Sequence, residues 1–440
     1  MASTYLTHTG STPTLNTKCT LSVWLKRSKI GTDQTFCSID SSGSDEIYYR
    51  FRSDNQLQVY AGIANGQVFN YRTNRLFRDV SAWYNIVIAI DTTASSGNRM
   101  KIYVNGEQET SFQSSTEMAQ DSVLAFLSGT YAIGRKNNIT GNYYDGYITH
   151  AAFVDGQALT QSAFGETDSA SGIWKFKSPS TTWGTNGFHL KFENSGAMGT
   201  DSSGQSNTFT VNGSLTQSLD TPSNNYCTFS PLHFGDTPPS DTYGTFSNGN
   251  TRYESSQGGS PYPYTCSTLA ASSGKWYAEF KLTRIVNSSM IGITDGGKYT
   301  YLGNSGNKDA CLFHDGNFYP GNSSFGNSFS NNDICGVAMD LDNMKVYFSK
   351  NGTWQNSGDP TSGSTGTGAA DIPTGGLGQF HFAFGDSSSN DPACSANFGS
   401  GFFGTTAITS AGSNGNGSLF EYDVPSGYYA LNTKNLNTYG

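Results

Sequence analysis

Twice in this chain an apolar strand ends on an aspartate and leads into the same kind of hairpin arm. Ile86-Val-Ile-Ala-Ile-Asp91 precedes Met100-Lys-Ile-Tyr-Val-Asn-Gly106, and Gly336-Val-Ala-Met-Asp340 precedes Met344-Lys-Val-Tyr-Phe-Ser-Lys-Asn-Gly352. Each arm is apolar at every second residue, the period of a half-buried strand. Each stops at Asn-Gly, whose two positions accept the positive φ of a tight hairpin turn. A chain punctuated in this way builds antiparallel sheets, and one such hairpin in each half implies two β-sandwiches. The distance from Met to Asn-Gly differs by two residues between the halves, so the pair is an echo and not a repeat.

Further strands follow from the same reading. In the first half they are Leu21–Lys26, with Leu21, Val23 and Leu25 on one face, then Glu46–Phe51, Leu57–Ala61, Trp83–Asp91, Tyr131–Gly134 and Tyr143–Phe153. Ala158–Phe164 reads as one short helical turn packed beneath them. In the second half Trp276, Ala278, Phe280 and Leu282 share a face of Lys275–Leu282, and Met290–Ile293, Val337–Asp340, Met344–Phe348 and Phe380–Phe384 follow. Residues 169–239 shift toward Ser, Thr, Asn and Pro, yet Phe188-His-Leu-Lys-Phe192 alternates, so this stretch is a connector with strands of its own. The expected organisation is all-β: a jelly-roll sandwich over residues 1–167, a partly ordered connector over 168–239, and a second sandwich over 240–440. The Gly-, Ser- and Asn-rich runs 321–332, 357–368 and 410–418 read as loops at sandwich ends.

Composition narrows the functional classes. The 440 residues carry 25 basic and 34 acidic side chains, a formal net charge of -9, which supplies no basic face for a phosphate backbone. Nucleic acid is therefore not an expected partner. No run approaches the roughly 20 apolar residues of a membrane-spanning helix, so membrane insertion is not expected. The opening Met1–His8 lacks the basic and apolar regions of a secretion signal, so folding in a cytoplasm is expected. Seven cysteines (19, 37, 227, 266, 311, 335 and 394) are scattered without a Cys-x-x-Cys pair, as expected of buried free thiols.

Catalytic patterns are missing from the sequence. It contains no Gly-x-Ser-x-Gly, no phosphate-binding Gly-x-x-x-x-Gly-Lys-Ser/Thr and no His-Glu-x-x-His. A glycosidase on a sandwich needs two carboxylates on one strand face, and Glu166-Thr-Asp168 offers only a short pair expected in a turn. The six histidines stand far apart in sequence, and His150, His189 and His381 are expected as structural residues within strands. The Asp40-Ser-Ser-Gly-Ser-Asp-Glu46 loop groups hard oxygen donors, which makes Asp40 and Asp45 candidate calcium ligands, although solvated acids in a glycine-containing hairpin give the same pattern. Asp145 and its neighbours form a similar group. Otherwise no cofactor is expected. Sugar or partner recognition uses aromatic faces in loops, and Tyr143, Tyr144, Tyr262, Tyr264, Tyr299 and Tyr301 occupy such contexts. Trp24, Trp276 and Trp354 belong to strands or hairpins and are expected in cores.

The quoted segments also carry resemblances. Ser22-Val-Trp24, Trp83–Asp91, Lys101–Gly106 and Asp145-Gly-Tyr-Ile148 resemble the laminin-G-like, concanavalin-A-type lectin sandwich. Ser273-Gly-Lys-Trp-Tyr-Ala-Glu279 and Gly336–Trp354 resemble the SPRY (B30.2-type) domain, over about residue 240 to the end. Phe153–Asp168, Asp201–Phe209, Asp220–Asn225 and Pro425–Leu436 are similar to phrases in structural proteins of marine tailed phages. The resemblance implies a non-enzymatic virion protein made in a host cytoplasm, of tail-fibre or head-fibre type. Its implied partners are other virion proteins and host surface polysaccharide. Oligomeric assembly, as a trimer, follows from the usual form of such fibres. A decoration, cement or connector protein of the virion is the alternative, and a polysaccharide-degrading enzyme the third.

Overall fold

The computed structural model describes residues 4–64, 66–233, 235, 243–256, 262–387, 391–403, 406–407 and 416–440. The expected 410–418 loop falls mostly outside them. The chain divides into two compact units, Met1–Gln217 and Ser218–Gly440, each with its own antiparallel sheets and core.

In the first unit an eight-stranded sheet runs, edge to edge, through Phe112–Thr116, Val68–Leu76, Gln56–Gly62, Glu46–Phe51, Gln34–Asp40, Thr130–Ile133, Tyr5–Thr9 and Thr210–Asn212. The facing six-stranded sheet runs through Phe188–Leu190, Gly146–Asp155, Lys18–Arg27, Tyr84–Asp91, Met100–Val104 and Glu107–Gln108. Leu21, Val23, Leu25, Ile86, Ile88 and Ile90 of one sheet meet Ile47, Tyr49, Phe51, Leu57, Val59 and Phe69 of the other, all essentially without exposed surface. The expected helical turn is the 3₁₀ turn Gln161–Ala163. Glu166, expected in a turn, lies instead in the strand Gly165–Thr167, whose backbone pairs with Trp174–Phe176, and Lys175 reaches both Glu166 (3.4 Å) and Asp168 (3.2 Å) across that ribbon.

The 168–239 stretch is shared between the units. Phe188–Leu190 extends the six-stranded sheet against Ala151–Phe153, and Thr210–Asn212 extends the eight-stranded one against Tyr5–Thr7. Phe188, Leu190 and Phe209 belong to the first core, whereas Cys227 and Phe229 belong to the second.

In the second unit a sheet led by Gly244–Ser247, Arg252–Ser255, Ala393–Asn397, Lys275–Arg284, Ile334–Asp340 and Lys345–Lys350 faces a six-stranded one. The latter runs through Tyr264–Cys266, His381–Asp386, Ser289–Thr294, Asp309–Phe313, Asn317–Tyr319 and Ser323–Ser324. Trp276, Ala278, Phe280 and Leu282 enter the core between the sheets as their alternation predicts. All seven cysteines are buried and none is in a disulfide among the described residues.

The echo between the halves extends to individual bonds. Asp91 and Asp340 sit opposite Lys18 and Lys275 on the neighbouring strand, each ion-paired at 2.9 Å. In the turns Asn105 has φ 48° and Gly106 φ 86°, and Asn351 and Gly352 have φ 48° and 81°. Each asparagine Oδ1 accepts a backbone N–H from the first two residues of the preceding strand, Asn85 at 2.7 Å and Ile334 at 2.8 Å. The same dipeptide thus closes a hairpin and ties it to the strand beside it.

Candidate functional site

In the first unit the residues marked by the sequence are mostly occupied by the fold. Tyr143 and Tyr144, as neighbours in extended chain, point to opposite sides. Tyr143 stands 6.2 Å from the ring of Tyr5. Tyr144 is half-buried, sits edge-on to Phe36 at 6.4 Å and packs against the core, and burial raises the pKa of its hydroxyl. Asp40 Oδ1 accepts the backbone N–H of Ser42 (3.0 Å) and Gly43 (2.6 Å), while Asp45 accepts from the Ser42 hydroxyl (2.9 Å) and from Ala64 N (2.8 Å). These two carboxylates therefore shape the hairpin loop. Glu46 beside them is taken by Lys136 at 2.9 Å and Asn138 at 3.1 Å. Asp145 is half-buried, and burial raises its carboxyl's pKa. Among the described residues no group of three or more His, Cys, Asp or Glu side chains converges to hold a metal ion.

The histidines are not all apart. A bulge in Gly146–Asp155 gives His150 φ 46° and turns its Nδ1 to within 3.3 Å of His189 Nε2. One ring lies against Phe176 at 3.6 Å and the other against Trp183 at 5.7 Å. Burial lowers both pKa values to about 4, so the pair is neutral and one N–H serves both rings.

In the second unit four of the six marked tyrosines meet at one corner. Tyr264, expected in a loop, is a wholly buried strand residue whose hydroxyl donates to the Gly297 carbonyl. Above it the 295–308 loop carries Tyr299 and Tyr301, and the half-buried Tyr262 and Tyr301 rings meet edge to face at 6.0 Å. Two aspartates that the sequence did not single out hold this loop. Asp295 Oδ1 accepts from Gly297 N (2.9 Å) and the Tyr299 hydroxyl (2.8 Å), and its Oδ2 accepts from Leu377 N (3.1 Å) in the 373–379 loop. Asp309 Oδ2 accepts from Gly303 N (3.0 Å) and Asn307 Nδ2 (2.9 Å), and its Oδ1 is buried without a partner. Neither carboxylate has an ion-pair partner among the described residues. Burial, reinforced by Asp295, raises the Asp309 pKa to about 7. Burial and the same Asp295 raise Tyr299 to about 12. Leu377, 63% exposed, stands at this corner. The 295–308 loop is thus pinned from below and sets the half-buried Tyr301 ring against Tyr262.

The enzyme hypothesis turns on paired carboxylates in a cleft. A cavity of about 580 Å³ in the first unit is lined by both Glu109 and Glu117. Glu117 accepts from the Tyr71 hydroxyl (2.9 Å), Gly97 N (2.8 Å) and Arg99 N (3.2 Å), and lies 3.6 Å from the Arg99 guanidinium. Glu109 is held by Arg75 at 2.9 Å and Ser111 N at 3.2 Å. Three of the four oxygens accept protein hydrogen bonds and the fourth, Glu109 Oε2, is ion-paired with Arg75, an arrangement suited to fixing the Phe112–Thr116 edge strand.

Compared with known proteins, residues 1–164 match the family model of the concanavalin A-like lectin/glucanases superfamily. That fold suggests carbohydrate or protein binding. No curated protein matches the chain. Among solved structures, the SPRY domain of human HERC1 is similar at 15% identity and a TM-score of 0.31, covering 38% of this chain and 96% of its own. A heptameric SAP-like pentraxin from Limulus polyphemus is similar at 16% identity and a TM-score of 0.26, covering 36% of this chain and 72% of its own.

Proposed function

We propose that the chain is a non-enzymatic virion protein of a phage, an adhesin of tail-fibre or head-fibre type that contacts host surface glycan through the tyrosine corner of its second unit. The observation that carries the reading is the Tyr262–Tyr301 pair, whose Tyr301 stands on a loop fixed by Asp295 and Asp309. Aromatic rings already held in place lose little conformational freedom on binding, which favours recognition of flat saccharide faces. The 321–332 loop of the same sheet is largely exposed, with Phe325 and Phe329 turned inward, and half of the residues of the 357–368 loop are exposed. The lectin-type match of the first unit supports a binding role. The segments Phe153–Asp168, Asp201–Phe209 and Asp220–Asn225 supply the phage assignment by their resemblance to virion proteins. Trimeric assembly would multiply weak contacts by valency.

A second reading, a connector or decoration protein that binds other virion proteins, is favoured by one observation, the exposed Leu377 beside the tyrosines. The two separate by substitution. Tyr262→Ala with Tyr301→Ala should weaken binding to host cells at least tenfold while Leu377→Ser leaves it unchanged. If the tyrosine variant binds cells normally and Leu377→Ser releases the protein from particles, the connector reading replaces the adhesin.

A further inference from the structure

Leu21, Val23 and Leu25 point between the sheets of the first unit, and the next residue of that inward row is a charged one, Arg27, the last of its strand. It has no exposed surface. Its guanidinium lies 4.5 Å from the centre of the Phe51 ring. Nη1 donates to Asn55 Oδ1 (3.2 Å) and to the Phe77 carbonyl. Nε and Nη2 carry the remaining N–H donors of the fork, and both are buried without a hydrogen-bond partner. Arg27 forms no ion pair among the described residues. Burial lowers its pKa to about 10, with Tyr144 and Tyr84 acting in the opposite sense.

The groups around this fork are also unserved. Gly146 is paired with Arg27 across the sheet, and a Cβ placed on it would stand 3.0 Å from the Tyr144 hydroxyl oxygen. The hydroxyl thus takes the space a side chain would fill, on the same inward side as Arg27. It is buried and has no hydrogen-bond partner. Gln34 is paired with Phe51, the ring beneath the guanidinium. Its Nε2 donates to Thr32 Oγ1 at 3.1 Å, and its Oε1 is buried without a partner. With the amide turned over, the Thr32 hydroxyl donates to Oε1 and Nε2 becomes one more donor. The Tyr84 hydroxyl, by contrast, is taken by the backbone of Asp79.

A buried cation whose donors are unmet is costly unless an acceptor of negative charge meets it. A water molecule would serve the N–H groups and leave the charge unbalanced. The rings that line this end of the core, Phe51 and Phe77 at 5.2 Å and Phe77 and Tyr84 at 5.3 Å, favour a small, weakly hydrated ion over a phosphate.

We propose that Arg27 Nε and Nη2 and the Tyr144 hydroxyl form a buried halide site, filled by chloride, that ties Lys18–Arg27 to the chain entering Gly146–Asp155. It is independent of the tyrosine corner of the second unit. The test is thermal unfolding of the full chain at constant ionic strength as chloride replaces gluconate. Chloride should raise the midpoint of the first unit along a saturating curve, as a ligand of the folded state does, with bromide equivalent and fluoride weaker. Arg27→Met should abolish that curve, and Tyr144→Phe should raise the half-saturating chloride concentration by roughly fivefold or more. Crystals of the parent grown in bromide should show an anomalous peak within hydrogen-bond reach of Arg27 Nε or Nη2, a result that does not depend on the variants folding. A linear salt response shared by the parent and the folded variants would overturn the proposal. So would a water molecule at that position with no bromide peak.

Discussion

Asp309 has no exposed surface, no ion pair among the described residues and one oxygen without a partner, yet it anchors the loop that carries Tyr299 and Tyr301. Burying such a group is tolerable when it holds its proton, and its pKa is raised to about 7 from the usual 3.8. The folded chain therefore retains this proton after the unfolded chain has lost it. Its contribution to stability is complete below about pH 3.8 and is lost as the pH rises through about 7. Asp309→Asn cannot ionise and keeps an acceptor for Gly303 N. Relative to the parent it should gain on the order of 2 kcal/mol between pH 5 and pH 8 in urea unfolding of the second unit. A difference that does not change with pH would show that the carboxyl titrates normally. At this scale the sequence exposed tyrosines but not the aspartates beneath them, because burial is set by a covering loop and leaves no local pattern.

Hairpins were legible because their requirement is local. Asn-Gly marks a positive-φ turn wherever it stands between alternating arms, and both turns form at the marked residues. The sequence did not show that each asparagine also ties down the start of the preceding strand. Losing that acceptor and forcing alanine into a left-handed conformation should cost about 1–3 kcal/mol, so Asn105→Ala and Asn351→Ala should each lower the unfolding midpoint of their own unit. The histidine pair is the opposite case, created by a bulge that brings together residues 39 apart. Both rings have pKa values lowered to about 4, His150 by burial, His189 and Lys191, and His189 by burial and Lys191 against the opposing Asp201. Stability from the neutral pair is complete above about pH 6.5 and is lost as the pH falls through about 4. His150→Asn, suited to φ 46°, should flatten this acid limb in fluorescence-monitored unfolding. An unchanged limb would place the acid sensitivity elsewhere.

Across the whole molecule the β class and the presence of two sandwiches were readable from alternation alone. The limits of each unit were not, since a Ser- and Asn-rich composition describes a surface strand as well as a linker. Phe188, Leu190 and Phe209 in the first core mean that a fragment ending at residue 167 exposes a sheet face. Residues 1–217 should fold cooperatively when expressed alone, whereas 1–167 should aggregate or melt at least 10 °C lower. Equal melting of the two would show that the later strands add nothing. The binding role is the claim on which the rest depends, and it is tested most directly by saturation binding of the labelled full chain to host cells before and after their surface polysaccharide is stripped. Saturable binding that stripping removes is the expected result. Folded protein that fails to bind intact cells, or that binds stripped cells equally well, would contradict it.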